Sequence, residues 1–121
     1  AGMVDGTKTP LEIAVMEVKE ETGIIVTEND LIDLSPKKRL FPSTGTSDEA
    51  MYFYFCEIKL HKNEIEAFEN KAMGTEYEFE RITTHVYPFV DGHKKINNSN
   101  GLLLNYLYLS YIKDFETLKQ I

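Results

Sequence analysis

One helix has both of its ends written into the chain, and it constrains the fold more than any other segment. Thr9 is a capping residue, Pro10 suits the first helical position, and Glu12 completes a capping box three residues after the cap. Gly23 supplies the left-handed residue at which a helix stops. The stretch between them predicts a helix carrying Leu11, Ala14, Val15 and Val18 on one apolar stripe. Ile13 and Met16 project away from that stripe, so a second contact is expected, with a further segment or a partner.

The same helix carries three glutamates, Glu17, Glu20 and Glu21. Positions i, i+3 and i+4 share a face within an arc of about 100°. Like charges so placed repel by about 0.2–0.5 kcal/mol per pair. Lys19, the basic residue nearest in sequence, points to another side. Mg²⁺ or Mn²⁺, which take oxygen ligands, would relieve the repulsion. Alone, an acidic face is most often a solvated face. What changes the reading is the segment ahead of it, Ala1-Gly2-Met3-Val4-Asp5-Gly6, a glycine-containing turn running directly into the capped helix.

Further along, Ile24 to Val26 and Leu31 to Leu34 are short strand candidates, separated by the polar turn Glu28-Asn29-Asp30. Lys37 to Ser47 reads as a loop containing Pro42 and Gly45. Met51 to Leu60 is the clearest strand, apolar at nearly every position, and Tyr77 to Val86 is another. Asn63 to Asn70 holds a helical turn, Asp91 to Asn100 is polar loop, and a long apolar helix runs from Gly101, capped near Ser99. Strands between two helices predict a mixed α/β, or α+β, chain with one core over residues 1–121.

Composition removes some classes of function. The net charge of −7 argues against a nucleic-acid surface, which needs clustered Lys and Arg. It leaves room for a small phosphate-bearing substrate, because a divalent cation can invert the electrostatics of an acidic pocket. No apolar run reaches the roughly 18 residues of a membrane span, and no signal-peptide pattern opens the chain. Its single cysteine, Cys56, excludes an internal disulfide, sits in an apolar strand pattern as core filler, and suits a reducing cytoplasm, the expected location.

The loop and helix together resemble the Nudix box, G-x5-E-x7-R-E-U-x-E-E-x-G-U, where U is aliphatic. Gly2 opens it and Glu17-Val18-Lys19-Glu20-Glu21-Thr22-Gly23-Ile24 closes it in register, so that seven of nine defined positions agree. Lys8 stands where the box has its first glutamate and Met16 where it has arginine. In the family those two residues hold the loop to the helix, and losing both removes an ion pair as a unit, without leaving an orphan charge. The opening Ala-Gly-Met-Val-Asp is similar to that of nucleoside-diphosphate-sugar diphosphatases. A second signature of ADP-ribose enzymes, S-P-G-x-x-D-E, is matched by Ser43-Thr44-Gly45-Thr46-Ser47-Asp48-Glu49 except at Thr44. The run Thr44 to Ser47, leading into Met51-Tyr52-Phe53-Tyr54, is closer to the UDP-sugar branch.

The resemblance implies a metal-dependent hydrolase that cleaves the diphosphate of a nucleotide sugar, of the UDP-glucose or ADP-ribose type, with Mg²⁺ or Mn²⁺ as cofactor. Glu17, Glu20 and Glu21 would hold metal, with Glu20 and Glu21 also catalytic; Gly2, Gly45 and Glu49 would bind substrate. A downstream glutamate would act as general base, with Glu78 the candidate carried forward and Glu76 beside it. His85 reads as a packed or surface histidine, and Lys37, Lys38 and Arg39 as solvated loop. Members of the family run through several strands before the box. The chain is therefore expected to be the C-terminal part of a longer one, lacking its N-terminal strands. A homodimer burying Ile13, Met16 or the aromatic strand is expected, without nucleic-acid or membrane partners. The competing expectation is a Nudix-like binding or interaction module without hydrolysis, which Lys8 and Met16 favour and the three glutamates disfavour.

Overall fold

The computed structural model describes residues 1–35, 38–74 and 81–121. In chain order the elements are α1 (Pro10–Thr22), β1 (Ile32–Asp33), β2 (Tyr54–Phe55), α2 (Lys62–Glu66), β3 (Ala72–Met73), β4 (Ile82–Thr83), α3 (Phe89–Lys95), α4 (Ser99–Ile112) and α5 (Phe115–Gln120). Helices accompany two separate antiparallel pairs, β1–β2 and β3–β4, so the described chain is of the α+β kind. It divides into two compact units, one of residues 1–31 with 56–86, the other of residues 32–55 with 87–121. No helix among the described residues is long and apolar enough to cross a membrane.

The first unit is organised by α1, which forms as its sequence dictates. The Thr9 hydroxyl accepts from the Glu12 N–H at 3.2 Å, and the Glu12 carboxylate accepts from the Thr9 N–H at 3.4 Å. Gly23 ends the helix at φ +77°, donating to the Lys19 carbonyl at 2.8 Å. The buried residue of α1 is Ile13, at 7% exposure, and the stripe of Leu11, Ala14, Val15 and Val18 is only half-buried. Ile13 is thus covered within this chain. Residues 24–26 form no strand: Val26 is buried, while Ile25 stands 80% exposed. A one-turn 3₁₀ segment, Glu28–Asp30, follows, with Thr27 and Asp30 closing on each other. Beyond α2, Asn70 takes the left-handed conformation (φ +60°), and its N–H bonds the Thr84 carbonyl at 2.8 Å, starting the β3–β4 ladder. Within the expected strand from Tyr77 to Val86, residues 77–80 lie outside the described residues and β4 is the part observed.

In the second unit β1 and β2 pair in the register Ile32↔Phe55 and Asp33↔Tyr54, extended by the Leu34 N–H to the Phe53 carbonyl at 2.8 Å. The long strand expected over 51–60 is observed as β2 and a single bridge, Leu40↔Met51. Its composition favours extended backbone throughout, but a strand needs a ladder, and β1 provides only two residues of one. Leu34, Phe53 and Leu109 form the buried apolar positions here. Phe55 meets Tyr108 and Tyr111 edge-on, at 4.9 and 5.5 Å between ring centres.

The polar stretch read as loop over 91–100 is instead helical over 91–95, as part of α3, and again from Ser99, where α4 begins. Pro88 precedes α3, Asp91 lies in its first turn, and His93, Lys94 and Lys95 lie in its last, the charge order that a helix dipole favours. The cap of α4 is Asn98, whose side chain accepts from the Gly101 N–H at 2.7 Å. Lys113 closes α4 at φ +59°, and α5 follows from Asp114, whose carboxylate accepts from the Thr117 N–H.

Candidate active site

The acidic face of α1 and the loop before it lie in the first unit and meet directly. Gly2 lies against Glu17: a Cβ at that position would collide with Oε1, Cδ and Cγ of the Glu17 side chain. A side chain at the glycine that opens the motif would take the space of the Glu17 carboxylate and turn it aside. The Ala1 nitrogen donates to Glu21. On the last turn of α1, the Glu20 carbonyl accepts from the Gly74 N–H at 3.0 Å, tying the end of β3 to the helix. Gly74 sits at φ +97°, in the left-handed region that favours glycine.

Glu20 Oε2 is withdrawn from solvent and has no hydrogen-bond partner among the described residues. A bound cation would satisfy such an oxygen. Oε2 of Glu17 is likewise shielded from water. Among the described residues, no three acidic, histidine or cysteine side chains form a closed ligand group. The three glutamates share a face, but Glu17 is turned toward Gly2 and Glu21 toward Ala1.

The two positions that depart from the box meet each other. Lys8 Nζ lies 3.1 Å from Met16 Sδ, an ammonium against a thioether, across eight residues of chain. They stand at the two positions that the family pairs, so the resemblance, and not the spacing alone, implies that they meet.

The second signature lies in the second unit and is a compact turn. The Thr46 and Ser47 N–H groups both bond the Ser43 carbonyl, at 3.2 and 2.9 Å, and the Glu49 N–H bonds Ser47 Oγ at 3.0 Å. Gly45 and Glu49 are exposed, and the space around Gly45 is open. The Leu40↔Met51 bridge closes the base of this loop. At that base a recess of about 130 Å³ is lined by Leu40, Phe41, Pro42, Met51, Phe53, Asn100 and Leu103. It joins residues some sixty positions apart in sequence, so no local pattern announces it.

Of the remaining candidates, Glu78, Glu76, Glu80 and Lys37 lie outside the described residues. Lys38 and Arg39 are exposed. His85 is engaged by Glu69, Nδ1 to Oε1 at 2.9 Å, while Glu69 Oε2 accepts from the Val86 N–H at 2.7 Å. The His85 hydrogen bond, then that of Val86, holds the Glu69 carboxyl below its ordinary range. Burial first, and Asp30 second, push the Cys56 thiol up, away from the thiolate that reactive chemistry needs. A histidine that the sequence reading passed over, His93, is buried and bonded through Nδ1 to the Asn105 amide at 3.0 Å, which makes it a satisfied core residue.

A glycine loop folded against an acidic helix face is the arrangement expected of a Nudix hydrolase, and comparison with known proteins points to the same class. The chain is 31% identical over 115 aligned residues to Nudix hydrolase 14, chloroplastic, of Arabidopsis thaliana, which supports placing it in the Nudix superfamily. The alignment takes in 89% of this chain and 37% of the relative, so the chain spans little more than a third of that protein's length. No family profile and no solved structure matches the chain.

Proposed function

We propose that this chain carries the metal-binding helix of a Mg²⁺- or Mn²⁺-dependent hydrolase acting on the diphosphate linkage of a nucleoside-diphosphate sugar, of the UDP-glucose or ADP-ribose type. The observation that carries the reading is Glu20, whose Oε2 is shielded from solvent without a hydrogen-bond partner among the described residues, on a face shared with Glu17 and Glu21. Carboxylate oxygens are the donor type a hard divalent cation takes, and gathering all three around one would require Glu17 and Glu21 to turn from Gly2 and Ala1. Gly2 leaves the space in which the Glu17 carboxylate is seated. When bound, the cation would neutralise diphosphate charge and acidify an attacking water.

The chain's own residues supply the rest. Glu17 and Glu21 would hold the cation and Glu20 would share it or position the attacking water, whose proton would pass to a downstream glutamate, Glu78 being the candidate. Water oxygen forms a bond to one phosphorus as the bridging P–O bond breaks, giving a nucleoside monophosphate and a sugar phosphate. The Ser43–Glu49 turn, with its Thr46, Ser47 and Glu49 N–H groups already bonded within it, would offer the N–H groups of Thr44, Gly45 and Asp48 to anionic or sugar oxygens. A homodimer in the cytoplasm belongs to the same proposal, with Met16 and the aromatic strand as its contact surfaces.

The test is the full-length protein with Mg²⁺ and a panel of nucleotide sugars, products separated by ion-exchange chromatography. Cleavage of UDP-glucose or ADP-ribose is expected, with Glu20→Gln lowering kcat far more than it alters KM. Turnover confined to nucleoside triphosphates would overturn the substrate branch. One observation favours a second reading, a binding module without hydrolysis: Lys8 touches Met16 where the box has an ion pair. Tight nucleotide-sugar binding without product would decide for it.

A further inference from the structure

We infer that the recess at the base of the Ser43–Glu49 loop is a binding site for a pyrimidine, a neutral six-membered ring whose edge carries a donor beside an acceptor. Three stretches of the second unit build it. Leu40 and Phe41 form one side, Met51 and Phe53 a second, and Asn100 and Leu103 a third. Met51 and Phe53 stand two apart in extended chain and so share a face. The Met51 N–H, bonded to the Leu40 carbonyl at 2.8 Å, holds that chain beside Leu40. Asn100 and Leu103, three apart on α4, share a face as well. Phe53 is buried at 5% exposure, whereas Phe41 and Leu103 are 43% and 39% exposed, so apolar walls stand open to solvent above a covered aromatic ring.

Volume selects the size of the occupant. The recess offers about 130 Å³. A cavity of about 150 Å³ lined by Leu, Ile and Phe takes up benzene, so one six-membered ring matches this space and a fused pair of rings exceeds it. The lining selects the chemistry. None of the lining residues is charged, so an anion finds no counter-charge here and would lose its hydration. Phe41 and Phe53 suit contact with a flat π system. Asn100 brings the one polar side chain of the lining, and its amide makes no hydrogen bond among the described residues. An amide offers a carbonyl acceptor beside N–H donors, the complement of the edge that a pyrimidine base presents. Gly45 and Glu49 do not line the recess, so it is distinct from the contacts expected of the loop itself. Every lining residue belongs to the second unit, and the inference does not rest on the metal-binding reading of α1.

Free uridine, without metal or phosphate, is the probe, and the Met51 methyl group is the reporter. In the full-length protein, isotope-labelled at its methionine methyls, the Met51 resonance is identified by its loss in Met51→Leu. Uridine is expected to shift Met51 saturably through its ring current, while Met3, Met16 and Met73, all in the first unit, stay in place. Adenosine is expected to bind roughly tenfold more weakly, because its second ring overpacks the space. Ribose alone should leave Met51 unmoved. Asn100→Leu should weaken uridine about two- to tenfold, the size of one hydrogen bond, and leave benzyl alcohol, a ring without that edge, binding as before. Leu103→Phe, which fills the recess from its exposed side, should abolish the uridine shift. An unmoved Met51, or adenosine binding as tightly as uridine, would overturn the assignment. So would an Asn100→Leu variant that keeps its uridine affinity, or one that loses uridine and benzyl alcohol equally.

Discussion

Replacing Gly2 with alanine separates stability from metal binding in opposite directions. The added methyl falls on three atoms of the Glu17 side chain, so the carboxylate must swing away. The backbone at Gly2 is not in the left-handed region, so alanine is unstrained there. Restricting the unfolded chain then stabilises the protein by about 0.4–1 kcal/mol, if it changes stability at all. Metal affinity should move the other way. Disturbing a group that orients a metal ligand costs about 10- to 100-fold in affinity. Isothermal titration of the full-length protein with Mn²⁺, beside a thermal melt without metal, measures both quantities. Gly45→Ala is the matched control, because the space around Gly45 is open and its backbone is also free of positive φ. Gly6→Ala is a poor control, since Gly6 sits at φ +93° and alanine would be strained there whatever the site does. Equal Mn²⁺ affinity in Gly2→Ala and Gly45→Ala would refute the assignment of Glu17 as a ligand seated by Gly2.

Mg²⁺ at a concentration well above its Kd should raise the melting temperature of the parent by mass action, and Glu17→Gln/Glu21→Gln should abolish that rise; an equal rise in the double variant would remove both residues as ligands. Glu69 gives a pH signature. Its carboxyl is held low by His85 and Val86, so its contribution to stability is complete above the ordinary glutamate pKa of about 4.3 and is lost as pH falls through the depressed folded value. Melts taken down through the acid range should fall less steeply in Glu69→Gln than in the parent, and parallel curves would contradict the assignment. Leu109 is 1% exposed, and Leu109→Ala should cost about 2–5 kcal/mol in chemical denaturation, whereas exposed Ile25→Ala should cost little.

What the sequence disclosed follows the range over which each signal acts. The α1 boundaries, its capping box and its glycine stop are fixed by residues within four positions of one another, and all are observed. The register of Glu17, Glu20 and Glu21 on one face follows from helix geometry alone. Helical periodicity identifies faces but not which is covered most: Ile13, off the main stripe, is the buried residue of α1, and the stripe itself is half-buried. The strands shrank because residues 51–60 carry the composition of a strand but not its partner. α3 escaped notice because Gly92 and a run of polar residues disguise a helix whose charges follow its dipole. The contacts that assemble the candidate site, Gly2 on Glu17 and Gly74 on Glu20, each join separated stretches of chain and have no local signature.

The bond from the Gly74 N–H to the Glu20 carbonyl has a consequence for how this region can change by mutation. Donor and acceptor are both main-chain groups, so no exchange of side chains on α1 or β3 removes either of them. Only proline at position 74 deletes the donor, and the positive φ there penalises other non-glycine residues. The glutamates are thus free to drift in identity while the frame beneath them stays put. A library that randomises residues 16–21 and 71–73 but holds Gly74 fixed would search new metal and substrate preferences on an unaltered backbone. Admitting Gly74 to the same library would spend most of its members on chains strained at the residue that anchors the acidic helix to β3.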